Sequence, residues 1–223
     1  YQFGAGRHDR DLVSIWVGNG IGAGIIVNGH LLRGVTSSAG EIGYNELYFD
    51  LAGMRSLLAS SASPKDWGEI LSLSNIKRAI KQGLQDGWKS KLTASATIAE
   101  FLLAAEKSDP LAVHLSKLYG NLLGKVCTNL IYCFNPPLLV LHGALFYDTS
   151  LITNEVRRHV AHGILRSPVE AVEIQASKLG ENAVLIGGAA LVVDHVLHLG
   201  GEMSKTMESK QNQENDLFVN SLN

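Results

Sequence analysis

Closely spaced glycines between two apolar runs are the feature that most restricts how this chain can fold. Five glycines fall within twelve residues: Gly18, Gly20, Gly22, Gly24 and Gly29. The runs on either side, residues 12–17 and 23–27, are predicted to be strands. Asn28 followed by Gly29 is a strong hairpin signal, so residues 30–33 are expected to return as a third strand. The N-terminal part is therefore predicted to be antiparallel β-structure with a glycine-rich turn.

Beyond Pro64 the apolar residues recur with a helical period, at Leu73, Ile76, Ile80 and Leu84. Thr97 and Glu100 have the spacing of a capping box and predict a short helix. Asp109 before Pro110 predicts the start of a long helix, which should end at residues 135–137, Asn-Pro-Pro.

The last third of the chain alternates between short strand patterns and helical patterns. Residues 138–141 and 171–176 are predicted strands, and residues 150–165 and 182–199 are predicted helices. This alternation indicates the α/β class. Residues 200–223 are polar and aperiodic, which predicts a disordered tail.

Composition and charge argue against several kinds of partner. Lys and Arg total 19 and Asp and Glu total 21, a formal net charge of −2, so nucleic acid or an anionic membrane is not expected to bind the chain as a whole. No uncharged apolar stretch reaches the length of a membrane span. The start, YQFGAGRHDRD, lacks Met and does not resemble a signal peptide, so a cytoplasmic fragment is expected. Cys127 and Cys133 are predicted to be small buried residues.

Three short segments have residue types that suit ligand binding. Between Gly18 and Gly24, glycine amides and the Asn19 side chain can converge on a phosphate, or the glycines can simply form a tight hairpin. Glu41 lies between glycines and can accept hydrogen bonds from sugar hydroxyls, or be a solvated loop residue. His142 and Gly143 follow a strand and either leave room for a planar ligand or form the strand-ending turn.

The segment GNGIGAGIIVNGHLLRGVTSSAGEIGY resembles the signature of the ROK family, which groups bacterial sugar kinases with sugar-responsive repressors. LLVLHGAL and ENAVLIGGAALVV are similar to two further family motifs, so the resemblance covers residues 1 to about 199. It implies an α/β ribonuclease-H-like lobe of the actin-like ATPase fold, a mixed sheet with helices packed on it and a helical insert at about 64–107. The family's catalytic Asp precedes the segment similar to YQFGAG, so the chain is expected to be the carboxyl-terminal lobe.

The chain departs from the family pattern at functionally important positions. Tyr44 replaces a histidine that serves both sugar and zinc, and residues 47–63 have no cysteine where the family has a zinc module. We therefore expect no bound metal. On the phosphate side, Asn19 replaces the usual threonine and His142 replaces a glycine.

The resemblance assigns sugar binding to Glu41 and Tyr44. Phosphate or nucleotide contacts, vestigial or real, are assigned to Gly18, Asn19, Gly20, Gly22, His142 and Gly143. We expect the effector and oligomerisation domain of a transcriptional regulator, with no catalysis and no cofactor. The alternatives are a lobe of an ATP-dependent sugar kinase and a purely structural lobe.

The expected ligand is a sugar or sugar phosphate, and DNA would be bound only through a domain upstream of this chain. A homodimer or tetramer is expected. One face of the long helix has a leucine stripe, and we expect Tyr119, Leu123 and Ile131 on the opposite face to be left for self-association.

Overall fold

A computed structural model describes residues 4–6, 10–46, 66–147, 149–193 and 196. Within these residues, five strands form one mixed sheet in the order β3-β2-β1-β4-β5. Strands β1 to β3 are antiparallel, whereas β4 is parallel to β1 and β5 is parallel to β4. The strands are β1 (Leu12–Val17), β2 (Ile21–Val27), β3 (His30–Leu31), β4 (Leu138–His142) and β5 (Glu173–Ala176).

The helices between residues 66 and 171 lie in the long connections between strands. They are α1 (Trp67–Ile70), α2 (Leu73–Gln85), α3 (Ile98–Glu106), α4 (Pro110–Phe134), α5 (Leu151–Val160) and α6 (Arg166–Ala171). Contacts divide the chain into two compact units, Tyr1–Glu181 and Asn182–Asn223. In the second unit residues 183–193 are helical, within the range predicted from the sequence. The predicted tail, residues 200–223, and the cysteine-free segment, residues 47–63, lie outside the described residues.

Local sequence chemistry explains where the hairpin and the helices begin and end. Asn28 and Gly29 have φ values of 53° and 82°, the left-handed geometry that the predicted tight turn requires. The Thr97–Glu100 capping box is present. The Asp109 side chain caps α4, which ends where Asn135 takes a left-handed conformation with φ of 43°.

Several predicted boundaries are wrong. Strand β2 begins at Ile21 instead of Ala23, so Gly22 lies in the strand rather than in the turn. Strand β3 ends at Leu31 instead of Arg33. Helix α5 ends at Val160, because the chain turns at 161–165, and the short helix α6 precedes β5. No helix in the described ranges is both long enough and apolar enough to cross a bilayer.

The main core lies between one face of the sheet and the helices. Val13, Ile15, Leu139 and Leu141 of the two central strands are all fully buried there with the leucines of α4. The opposite face of the sheet holds a much smaller cluster, Leu12, Leu138 and Val140. Strand alternation therefore gives the sheet one face whose two central strands are buried under the helices, and one face with only this small buried cluster among the described residues.

The expectation that α4 leaves an apolar face uncovered is wrong. Tyr119, Leu123 and Ile131 are each no more than 2% exposed within the single chain. Helix α5 packs closely on α4, because a Cβ on Gly124 would lie 2.6 Å from the Cβ of His159. Asn75 of α2 also hydrogen bonds the Tyr119 hydroxyl. Helix α4 is therefore an internal helix with partners on several sides.

The two cysteines differ in exposure. Cys127 is fully buried, as predicted, and burial raises the pKa of its thiol. Cys133 is exposed, so the expectation that it is buried is wrong. It lies in the last turn of α4, where the helix has passed the edge of the core.

Candidate ligand site at the carboxyl ends of β1 and β4

Trp16 lies near the carboxyl end of the central strand β1, beside the carboxyl end of the parallel strand β4. It lies directly opposite Gly22 of β2 on one side and His142 of β4 on the other. The Trp16 side chain is 37% exposed, although its neighbours Ile15 and Val17 are buried. Because side chains alternate along a strand, Trp16 points to the face of the sheet opposite the main core.

The turn after β1 is held in place from both sides. The Gly18 amide donates a 2.8 Å hydrogen bond to the carbonyl oxygen of Gly20, and the Gly18 carbonyl accepts one of 2.8 Å from the amide of Leu73 in α2. A Cβ on Gly18 would lie 2.7 Å from Nε1 of Trp16, so the indole ring covers this turn. Asn19 is exposed at its tip. The turn is thus rigid, but the Gly18 amide is already engaged within it.

The turn that contains Glu41 packs against the backbone of β2. The amide of Ala23 donates a 2.8 Å hydrogen bond to the Gly40 carbonyl. Gly40 has a φ of 93°, which favours glycine. A Cβ on Gly43 would lie 2.6 Å from the carbonyl oxygen of Ile21, so this position also requires glycine. The two glycines fix the turn while leaving Glu41 exposed.

Tyr44 is the last residue of the short 3-10 helix Ile42–Tyr44, which directly follows Glu41. Its side chain is 78% exposed. No described residue donates a hydrogen bond to the Glu41 carboxylate. Toward the described residues the carboxylate is therefore an unused acceptor, and the phenol offers an apolar ring with a hydroxyl donor. Gly22 of β2 lies beside this turn, because a Cβ added at Gly22 would be 4.0 Å from the carbonyl oxygen of Gly40.

His142 and Gly143 end β4 beside the turn after β1. Gly143 has a φ of 119°, and a Cβ there would overlap the carbonyl oxygen of Val17. This glycine therefore allows close packing of two backbones. Burial lowers the pKa of His142 to about 4, and no polar group of the described residues pairs with its Nδ1. The imidazole is neutral at pH 7 and adds no positive charge for a phosphate.

The structure thus brings six predicted residues to the carboxyl ends of β1 and β4: Gly18, Asn19, Gly20, Gly22, His142 and Gly143. Glu41 and Tyr44 lie in the turn that packs against β2. Among the residues described, no three His, Cys, Asp or Glu side chains converge as metal ligands would. The sequence pattern does not single out Trp16, because residues 12–17, LVSIWV, are apolar at every position except Ser14. The polar Ser14 two residues earlier was the signal that this face of the strand differs.

The described residues thus form an α/β fold with a mixed sheet and a candidate ligand site at one end of it. Residues 1–195 match the ROK family, and the chain belongs to that family. The xylose repressor of Bacillus subtilis (strain 168) is 26% identical over 197 residues, covering 88% of this chain and 48% of the repressor. The glucokinase of Halalkalibacterium halodurans is 26% identical over 201 residues, covering 85% of this chain and 58% of the kinase.

Solved structures give the same result for the fold. A ROK family transcriptional regulator, homolog of E. coli MLC protein, superposes with a TM-score of 0.68 at 23% identity, covering 78% of this chain and 43% of that one. A ROK family glucokinase from Streptomyces griseus in complex with glucose and AMPPNP has a TM-score of 0.73 at 24% identity, covering 86% and 63%. The predicted actin-like α/β fold is confirmed. The chain spans about half the length of the curated repressors that it matches.

Proposed function

We propose that this chain is the sugar-binding and oligomerisation lobe of a ROK-type transcriptional regulator. In this proposal it is the carboxyl-terminal lobe, residues 1–199, with a helical insert at about 64–107. DNA is read by a segment outside the chain. The observation that carries the proposal is the Glu41 turn, which two glycines fix on β2 while its carboxylate remains an exposed acceptor.

The chemistry of this turn suits a neutral sugar. A carboxylate can accept hydrogen bonds from two adjacent hydroxyl groups, and such charge-assisted bonds are stronger than neutral ones. Tyr44 lies three residues later in the same turn and can offer its ring to the apolar face of a sugar. Because Gly40 and Gly43 fix the backbone, little conformational entropy is lost when a ligand binds.

Binding without phosphoryl transfer is the favoured form of this function. Transfer requires charge neutralisation at the phosphates and a base for the acceptor hydroxyl. Burial keeps His142 neutral, and the Gly18 amide is engaged within its own turn. Glu41 has the role of a sugar contact in this proposal, which leaves it unavailable as the base.

A second candidate function is the carboxyl-terminal lobe of an ATP-dependent sugar kinase. The observation in its favour is that the turn after β1 and Gly143 after β4 lie at neighbouring carboxyl ends. At this edge the amides of Asn19 and Gly20 make no hydrogen bond to other described residues. Two free amides at such an edge can bind a phosphate.

Calorimetric titration with D-xylose and D-glucose tests the first proposal, because these sugars are named for the relatives. Glu41→Gln is expected to weaken binding by about tenfold or more, since it removes a charged acceptor. The control Glu106→Gln changes an exposed carboxylate on α3. Equal affinity of the wild type and Glu41→Gln would show that Glu41 is not the sugar contact.

A coupled ATP assay with the same two sugars separates the two functions. The regulator proposal expects no turnover from this chain. Turnover that Glu41→Gln abolishes and a mock preparation lacks would select the kinase. If neither sugar binds and neither is phosphorylated, the purely structural lobe is the better account.

The proposal also includes a homodimer or tetramer and the absence of structural zinc. A regulator uses two-fold symmetry to present two DNA-reading heads to a palindromic site. Light scattering should give a mass above the 24.0 kDa of one chain. The absence of cysteines from residues 47–63 supports the second point, and metal analysis should find no stoichiometric zinc.

A further inference from the structure

A cavity of about 560 Å³ lies where the loop between α2 and α3, helix α3 and the start of α4 meet. Its volume is within the range of small-molecule sites. It shares no lining residue with the candidate site described above. Its apolar lining includes Leu92, Ala96 and Leu103, and its cationic lining is Lys89, Lys91 and Lys107.

The two carboxylates in the lining are occupied by local hydrogen bonds. Glu100 accepts from the amide of Thr97 at 2.7 Å and from its hydroxyl at 2.9 Å. Asp109 accepts from the Ser90 hydroxyl at 2.8 Å and from the Lys91 backbone amide at 2.7 Å. These bonds satisfy the carboxylate oxygens and leave both groups ionised. Neither carboxylate forms an ion pair with a lysine among the described residues.

The three lysines outnumber the two carboxylates of the lining, Glu100 and Asp109, so the cavity has an excess of one positive charge. All three side chains are exposed, and the described residues offer them no ion pair. The bonds to Asp109 also fix the side chain of Ser90 and the backbone of Lys91, so this part of the rim has a defined position. Leu103 is 51% exposed beside them, although a side chain of this size usually packs against apolar neighbours.

The start of α4 adds little to anion binding. Pro110 has no amide hydrogen, and the Asp109 side chain accepts from the amide of Ala112 at 3.1 Å. With these helix-terminal positions already satisfied, an anion would depend on the lysines. The lining thus combines a cationic rim with an apolar wall.

We propose that this cavity is a second ligand site that binds a small organic anion with an apolar body and one carboxylate, phosphate or sulfonate group. The apolar body lies on Leu92, Ala96 and Leu103. The anionic group lies among Lys89, Lys91 and Lys107. The site is independent of the sugar site, so either proposal can fail without the other.

Fluorescence titration with anilinonaphthalene sulfonate tests this site, with uncharged phenylnaphthylamine as the matched probe. Lys107→Gln and Lys91→Gln are each expected to weaken binding of the sulfonate by about two- to fivefold and to leave the uncharged probe unchanged. Lys91→Gln keeps the backbone amide that bonds Asp109, so the fold should be unaffected. Raising the salt concentration should weaken only the sulfonate.

Leu103→Ser is expected to weaken both probes, because it removes part of the apolar wall. The control Lys77→Gln changes an exposed lysine of α2 outside the cavity and should weaken neither probe. The proposal is overturned if a variant with Lys89, Lys91 and Lys107 all changed to Gln binds the sulfonate as tightly as the wild type. An equal loss in Lys77→Gln would also overturn it, because the binding would then be non-specific.

Discussion

Ala23 of β2 and Gly40 of the following loop form a paired contact that positions the Glu41 turn. The Ala23 amide donates a 2.8 Å hydrogen bond to the Gly40 carbonyl, and a Cβ on Gly40 would overlap the Ala23 carbonyl oxygen. The two residues are 17 positions apart, so the contact belongs to the tertiary fold. Because Glu41 is the next residue, the position of its carboxylate depends on this contact.

Gly40→Ala is expected to destabilise the protein by about 3 kcal/mol and to abolish sugar binding. The left-handed φ of 93° disfavours a side chain, and the added Cβ forces the turn away from β2. Thermal unfolding and sugar titration of the variant measure the two effects. Gly87→Ala is the matched control, since Gly87 has a φ of 84° but open space around it. It should cost only about 1 kcal/mol, and an equal cost at both positions would mean that the Ala23 contact contributes nothing.

The two cysteines should react at very different rates with a thiol reagent. Cys133 is exposed, whereas Cys127 is fully buried and burial raises the pKa of its thiol. Because the thiolate is the reactive form, the native protein is expected to label at Cys133 alone. Both should label in denaturant. Mass spectrometry of digested protein identifies the site, and rapid native labelling of Cys127 would contradict its burial in α4.

Features set by local chemistry could be predicted from the sequence. Asn28 and Gly29 specify their turn through the left-handed conformations that they tolerate. Thr97 and Glu100, and likewise Asp109, satisfy amides only three residues away. In each case the residues that determine the structure are neighbours in sequence, so the pattern is sufficient.

Features that depend on distant partners could not be predicted in the same way. The apolar period of α4 shows that Tyr119 faces away from the leucine stripe, but not that Asn75 of α2 bonds it there. Similarly, the sequence leaves open whether Gly143 makes room for a ligand or forms the strand-ending turn, and it does not predict the close approach to the Val17 backbone. Trp16 is 37% exposed because it lies near the carboxyl end of the central strand β1, on the sheet face opposite the main core, which only the tertiary fold reveals.

His142 should make the protein less stable as the pH falls from about 6.5 to about 4. Burial lowers its pKa to about 4 in the folded state, so in this window the unfolded chain binds more protons. His142→Gln should lack this contribution, whose slope cannot exceed about 1.4 kcal/mol per pH unit because only one proton is involved. Thermal unfolding across the window, with His159→Gln as a second histidine variant, measures the difference. An NMR titration that gives His142 a pKa near 6.5 would contradict the burial argument.

The buried bond between Asn75 and Tyr119 should stabilise the contact of α2 with α4. The Asn75 side-chain amide donates to the Tyr119 hydroxyl at 3.2 Å and to the Ile70 carbonyl at 3.0 Å, and both side chains are at most 2% exposed. Tyr119→Phe is expected to lower the free energy of unfolding by about 1 kcal/mol. Asn75→Ala should cost about 2 to 3 kcal/mol, because it leaves two buried acceptors unpaired. Chemical denaturation of the two variants and of the double variant gives the coupling between the two side chains.

The stability of the protein at alkaline pH gives a second test of the buried Tyr119 hydroxyl. Burial raises the pKa of Tyr119, so the folded state holds the phenol proton above pH 10, where an unfolded tyrosine releases it. The stability from this group is complete below pH 10 and declines as the pH rises further. Tyr119→Phe should therefore lose less stability in that range than the wild type. Tyr132→Phe is the matched control, because it removes a hydroxyl from a side chain that is 37% exposed. Identical slopes for Tyr119→Phe and the wild type would show that the Tyr119 hydroxyl does not titrate differently in the folded state.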